Sequence, residues 1–198
     1  MSNLSYPRLI NKMVDGEKIE YGIIYGNNKI VFIKVGADGN IRGYQDKYLK
    51  MAHSVHNRIG ATVICASNPY IEFGHIDADR SIISTIVQDC RFADYEVRFV
   101  GTSDGAYHNL LLAKEISQTT KLIGINTSTF GFPDLKNRLF EIPNVKKILV
   151  YGERDDEYMY VPSLNELKLT NLQVVSVEGA DHEFTGMVDK FISFIDLI

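Results

Sequence analysis

Ser103 stands in Gly101-Thr102-Ser103-Asp104-Gly105, directly after an apolar run at 97–100 and directly before a helical run at 107–115. A serine between a strand and a helix sits on a turn so tight that its backbone is strained and its hydroxyl stands clear above the sheet, the arrangement of a nucleophile elbow. Gly101 and Gly105 fit that turn, because a Cβ at either position would collide with the neighbouring strand or helix where the chain reverses. The chemistry on offer is attack of a hydroxyl on a carbonyl carbon. A hydroxyl is a poor nucleophile until a base takes its proton, and the base must be held in one tautomer by an acid.

Two later segments carry those residue types. Gly152-Glu153-Arg154-Asp155-Asp156 follows the apolar run 147–151, and Glu178-Gly179-Ala180-Asp181-His182-Glu183-Phe184 follows the apolar run 172–177. In a parallel sheet the loops at the carboxyl ends of the strands share one side of the molecule, so Ser103, Asp155 and His182 can converge. Their order along the chain is serine, acid, histidine, one of the orders known for such a triad.

The elements needed to bring them together are legible as alternating patterns. Residues 20–25 and 29–35 are rich in Ile, Val, Tyr and Phe and are separated by Gly26-Asn27-Asn28, which predicts an antiparallel hairpin. Apolar residues at Leu49, Met51, Ala52, Val55 and Ile59 predict a helix over 44–58, ended by Gly60. The run 61–66 is continuously apolar, the mark of a strand covered on both faces. Helices are expected over 77–92, 132–140, 162–167 and 188–197, and strands over 97–100, 122–126, 147–151 and 172–177. Strands alternating with helices imply an α/β chain, with a mostly parallel twisted sheet and helices on both faces.

At 198 residues and 45% hydrophobic, the chain is long enough for one real core. Residues 1–16 are polar and mixed and read as a leading segment, with 17–198 as a single domain. A formal net charge of -4 gives no basic field and argues against a nucleic-acid partner. No segment approaches the ~20 apolar residues of a membrane span, and there is no secretory leader pattern, so a cytoplasmic protein is expected. Cys65 and Cys90 lie in apolar segments and read as buried thiols; with neither CxxC nor HExxH spacing, no metal and no cofactor is expected.

The chain resembles the small, lidless α/β-hydrolases from about residue 20 onward. The elbow matches Gly101 to Gly105, the family's glycine-x-x-acid turn matches Gly152 to Asp155, and its Gly-x-x-His segment before the last helix matches Gly179 to His182. The resemblance implies an α/β-hydrolase fold without a cap domain. It assigns Ser103 as nucleophile, His182 as general base and then acid, and Asp155 as the orienting carboxylate. Where the family often has His-Gly, this chain has Val35-Gly36-Ala37-Asp38, so the oxyanion hole is assigned to the backbone N–H groups of Ala37 and Asp104. A valine-proline usually follows the acid closely, but here Asp156 to Tyr160 intervene before Val161-Pro162, which leaves Asp156 open as an alternative acid. The implied substrate is a small-molecule ester or thioester, cleaved through an acyl-enzyme. An acyltransferase on the same triad and a non-catalytic binding module on the same fold remain as alternatives.

Other polar residues are read more plainly. The Asp104 carboxylate suits the first turn of a helix and needs no catalytic role. His53 and His56 share a helix face without an evident third ligand, His75 is read as a surface residue or one bordering the pocket, and His108 lies on the helix leading away from Ser103. Arg42 and Lys34 stand near the oxyanion loop as candidates for holding a substrate anion, with a surface role as the default. Tyr70, Phe73, Tyr107, Phe130, Phe132, Tyr158 and Tyr160 are the aromatics available to line an acyl or aryl pocket.

Overall fold

The apolar runs become the strands of one eight-stranded sheet in a computed structural model that describes residues 4–69, 75–128 and 130–198. The strands are β1 (Arg8–Val14), β2 (Glu17–Ile24), β3 (Asn27–Lys34), β4 (Ala61–Ala66), β5 (Glu96–Thr102), β6 (Thr119–Ile125), β7 (Lys146–Gly152) and β8 (Leu172–Val177). Their order across the sheet is β1-β2-β4-β3-β5-β6-β7-β8. The β1/β2 and β2/β4 pairs are antiparallel, and every pair from β4 to β8 is parallel. The helices are α1 (Lys47–Ile59), α2 (His75–Asp89), α3 (Asp104–Glu115), α4 (Phe132–Glu141), α5 (Val161–Glu166) and α6 (Val188–Ser193).

Successive strand residues point to opposite faces, and both faces are apolar and covered. Ile30 and Phe32 of β3 join Ile82, Leu110, Leu139 and Leu164 from α2, α3, α4 and α5. Val31 and Ile33 face the other way, onto Leu49 and Val55 of α1 and Phe191 of α6. All six residues of β4 are buried, as its unbroken apolar run requires. Among the described residues no helix is long and apolar enough to cross a membrane.

The expected hairpin between 20–25 and 29–35 does not form, because β4 lies between β2 and β3. The backbone groups that would have closed it bond elsewhere: Gly26 N donates to Thr62 Oγ1 (3.0 Å) and Asn27 N to Gly60 O (2.7 Å). A strand apolar on both faces gains most where neighbours flank both its edges, and β4 takes that place. The hairpin that does form joins β1 and β2 through Asp15-Gly16, with φ of 51° and 86°. Asp-Gly is a favoured pair for that turn, and it lies in the segment read from sequence as leading.

The parallel register aligns the strand ends. Lys34 is level with Gly101, Thr102 with Ile125, and Gly152 with Val177. The segments that follow β3, β5, β6, β7 and β8 therefore emerge along one edge.

Candidate active site

Ser103 is the hinge between β5 and α3, with φ 54° and ψ -127°. A side-chain-bearing residue held there costs about 1–3 kcal/mol, and such strain persists only where the surroundings over-determine it. Two close passages do so here. A Cβ on Gly105 would lie 2.6 Å from the Lys34 carbonyl oxygen and nearer still to that of Val35, and one on Gly101 would lie 2.6 Å from Ala106 N. Backbone bonds complete the turn: Ser103 N donates to Ile125 O (2.8 Å), and Ser103 O accepts from Ala106 N (3.0 Å). The Ser103 hydroxyl is hydrogen-bonded to Ser128 Oγ at 2.8 Å, just beyond the end of β6.

The acid and the histidine meet at the ends of β7 and β8. Asp155 has a fully buried carboxylate; Oδ1 accepts from Glu157 N at 2.7 Å, and Oδ2 accepts from the Nδ1–H of His182. Of the two neighbouring carboxylates, Asp155 is the one against the imidazole, while Asp156 is exposed. The hydrogen bond that His182 donates to Asp155 raises its pKa above the ordinary 6.5, burial opposes this, and Glu183 adds to the rise while Lys47 counters it. The imidazole remains 43% exposed.

The turn after β3 packs against the serine: a Cβ on Gly36 would lie 3.3 Å from Ser103 Cβ and 3.9 Å from its Oγ. Ala37 is next in that turn. Asp104 N belongs to the first turn of α3, where backbone N–H groups have no acceptor within the helix. The Asp104 carboxylate turns away to accept from Asn68 Nδ2 at 2.9 Å, with His108 Nε2 3.8 Å off.

Lys34 and His75 are placed otherwise than their sequence position suggested. Lys34 is wholly buried, its ammonium bonded to Asp79 (2.8 Å) and Ser67 O (3.1 Å), and Arg42 pairs with Asp46 (2.8 Å). Lys34 is thus engaged inside the protein, while Arg42 stays at the surface, its default reading. His75 is buried rather than on the surface, its ring 5.0 Å from that of His108, and burial, Lys34 and His108 press its pKa down to about 4. His53 and His56 bond separately to the carbonyls of Ser5 and Ala61 (each 2.9 Å). Tyr107 packs edge-on to the exposed Phe130, and Phe132 stacks on Tyr160; Tyr70 and Phe73 lie outside the described residues.

A cleft of about 410 Å³ opens beside the Asp155–His182 pair, with Ser128 on its wall. Around it stand the carboxylates of Asp156, Glu157, Asp181 and Glu183, the last paired with Lys47 at 2.7 Å, together with the guanidinium of Arg154. Ser128 and Asn126 were not singled out from the sequence. The available signal was a strand ending in a polar run, Asn126-Thr127-Ser128, on the same edge as the other loops.

No family model matches the chain, and no curated protein matches its sequence. Solved structures do. An α/β serine hydrolase homologue from Coxiella burnetii is similar over 98% of both chains, with a TM-score of 0.72 at 13% identity. A protein from Agrobacterium tumefaciens described as a putative α/β hydrolase reaches a TM-score of 0.75 at 14% identity, over 96% of this chain and 94% of that one. An α/β serine hydrolase without a lid from Xanthomonas campestris gives 0.68 at 15%, over 98% and 95%. At such identities the likeness is one of fold: the chain has the α/β-hydrolase fold, and only residues 126–131 separate β6 from α4.

Proposed function

We propose that this chain of α/β-hydrolase fold is a serine hydrolase that cleaves a carboxylic ester or thioester of a small or exposed acyl group. The observation that carries the reading is the hydrogen bond between His182 and the buried Asp155, on the sheet edge where Ser103 stands strained at the start of α3. An aspartate on Nδ1–H leaves Nε2 as the proton acceptor, the tautomer a general base needs.

In the proposed reaction, His182 Nε2 takes the Ser103 proton as Oγ bonds to the substrate carbonyl carbon. The carbonyl oxygen becomes an oxyanion held by the N–H groups of Ala37 and Asp104. His182 then gives its proton to the departing alcohol or thiol, leaving an acyl group on Ser103. Water attacks that acyl-enzyme with His182 again as base, the acid departs, and Ser103 regains its proton. Loss of one oxyanion donor typically costs about 3 kcal/mol of transition-state stabilisation. The Ser103 hydroxyl can accept from Ser128, its partner at 2.8 Å, and still have its own proton to give to His182. The carboxylate-rich rim favours neutral or cationic leaving groups over anionic ones.

Intact mass after treatment with a fluorophosphonate tests the reading. One adduct on the wild type that is lost in Ser103→Ala is the expected result. No adduct on the folded wild type would refute an activated serine and leave the fold as a binding module.

A further inference from the structure

Beyond the three triad residues, the side chain of Asn126 hydrogen-bonds both to the end of β7, where the acid loop begins, and to the loop that carries His182. Asn126 follows the last residue of β6 with φ 47°, a left-handed conformation that asparagine tolerates better than most side chains, and it is fully buried. Its Oδ1 accepts from Gly152 N (2.8 Å), three residues before Asp155. Its Nδ2 donates to the carbonyls of His182 (2.9 Å) and Asp181 (3.2 Å). An amide offers two donors and an acceptor, and each is used across the gap between the two loops.

We propose that Asn126 is a positioning residue, whose amide sets the distance and orientation between the His182 imidazole and the Asp155 carboxylate by tying their loops to the tip of β6. Two backbone bonds also join the loops, Glu153 N to Val177 O (3.1 Å) and Arg154 N to Ala180 O (2.9 Å). They secure the acid loop up to Arg154 but end at Val177 and Ala180, short of His182. Asn126 reaches the peptide of His182 itself, and Lys47 Nζ pulls on the next carbonyl, that of Glu183, at 3.1 Å. The proposal rests on the serine-hydrolase reading for its catalytic consequence, but the imidazole–carboxylate geometry can be tested without catalysis.

The test is an NMR titration of the His182 ring in the full chain, assigned with His182→Gln, for wild type and Asn126→Gly. Glycine keeps the left-handed backbone and removes all three bonds. The groups acting on the His182 ring are Asp155, Glu183 and Lys47, and none is altered by the variant. The expected result is a His182 titration that falls from its raised value toward 6.5. Fluorophosphonate labelling should slow by at least about tenfold, since a misplacement of roughly 1 Å can cost roughly 100-fold. A lower melting temperature with the titration and the labelling rate both unchanged would overturn the proposal, because a merely structural asparagine would do that. If Asn126→Gly does not fold, Asn126→Asp, which retains shape and the Gly152 bond, carries the test through its labelling rate. Failure of both to fold would assign Asn126 to the fold and overturn the role. If the wild type takes no label at all, the hydrolase reading falls alone, and the titration still decides the positioning role.

Discussion

Replacing Asp155 by asparagine changes one atom and, from the surroundings of that atom, reverses the histidine. Oδ1 is pinned by the Glu157 N–H at 2.7 Å, so the asparagine carbonyl must stay there and its NH₂ must face His182. The opposite flip would aim NH₂ at a backbone N–H in a fully buried place, leaving a donor unsatisfied at about 1–3 kcal/mol. Facing an NH₂ group, Nδ1 must accept, so the imidazole proton moves to Nε2, the nitrogen that should receive the proton of Ser103. Loss of the correct tautomer lowers kcat by roughly 10⁴, which is about 5.5 kcal/mol of barrier. The pH profile supplies an independent sign. In the wild type the hydrogen bond to Asp155 raises the His182 pKa above 6.5, so the rate climbs only as pH passes that raised value. Without the carboxylate the residual activity of Asp155→Asn should climb at lower pH. The assay is kcat and KM for a short-chain aryl ester across pH, for Asp155→Asn and Asp156→Asn. A kcat for Asp155→Asn within tenfold of wild type, an unmoved acid limb, or equal damage from Asp156→Asn would refute the reasoning.

Three further outcomes are expected. Gly105→Ala drives a Cβ into the carbonyls of Lys34 and Val35, and overpacking of this kind costs about 1–3 kcal/mol or more, which a thermal melt would register as a lower Tm. Lys34→Met leaves the buried Asp79 carboxylate without its cation, the Tyr21 hydroxyl (2.8 Å) remaining as a partner; breaking such a pair costs about 3–5 kcal/mol, or on the order of 10 °C in Tm, and an unchanged melt would contradict it. His75 titrates near 4 in the fold against 6.5 when unfolded, so the unfolded chain binds the extra proton between those values. Stability should be full above pH 6.5 and fall toward pH 4, and urea midpoints in His75→Gln should lose part of that slope.

The sequence by itself determined the alternation of strand and helix, because buried parallel strands must be apolar on both faces and their helices on one. It also placed Ser103, Asp155 and His182 on one edge of the sheet, since each follows an apolar run that reads as a parallel strand. What it could not decide was which strands are neighbours. Residues 20–35 have the local signature of a hairpin, yet the most buried strand, β4, takes the place between β2 and β3, and only the competition for a shared core reveals that. Nor could spacing choose between Asp155 and Asp156, because adjacent carboxylates differ by which one the turn directs inward. Lys34 and Arg42 looked available in sequence and are engaged in the structure by Asp79 and Asp46, the first of these 45 residues away. Asn126 had no motif to mark it. Its three hydrogen bonds reach partners 26, 55 and 56 residues along the chain, and such contacts exist only once the sheet has brought the tips of β6, β7 and β8 together.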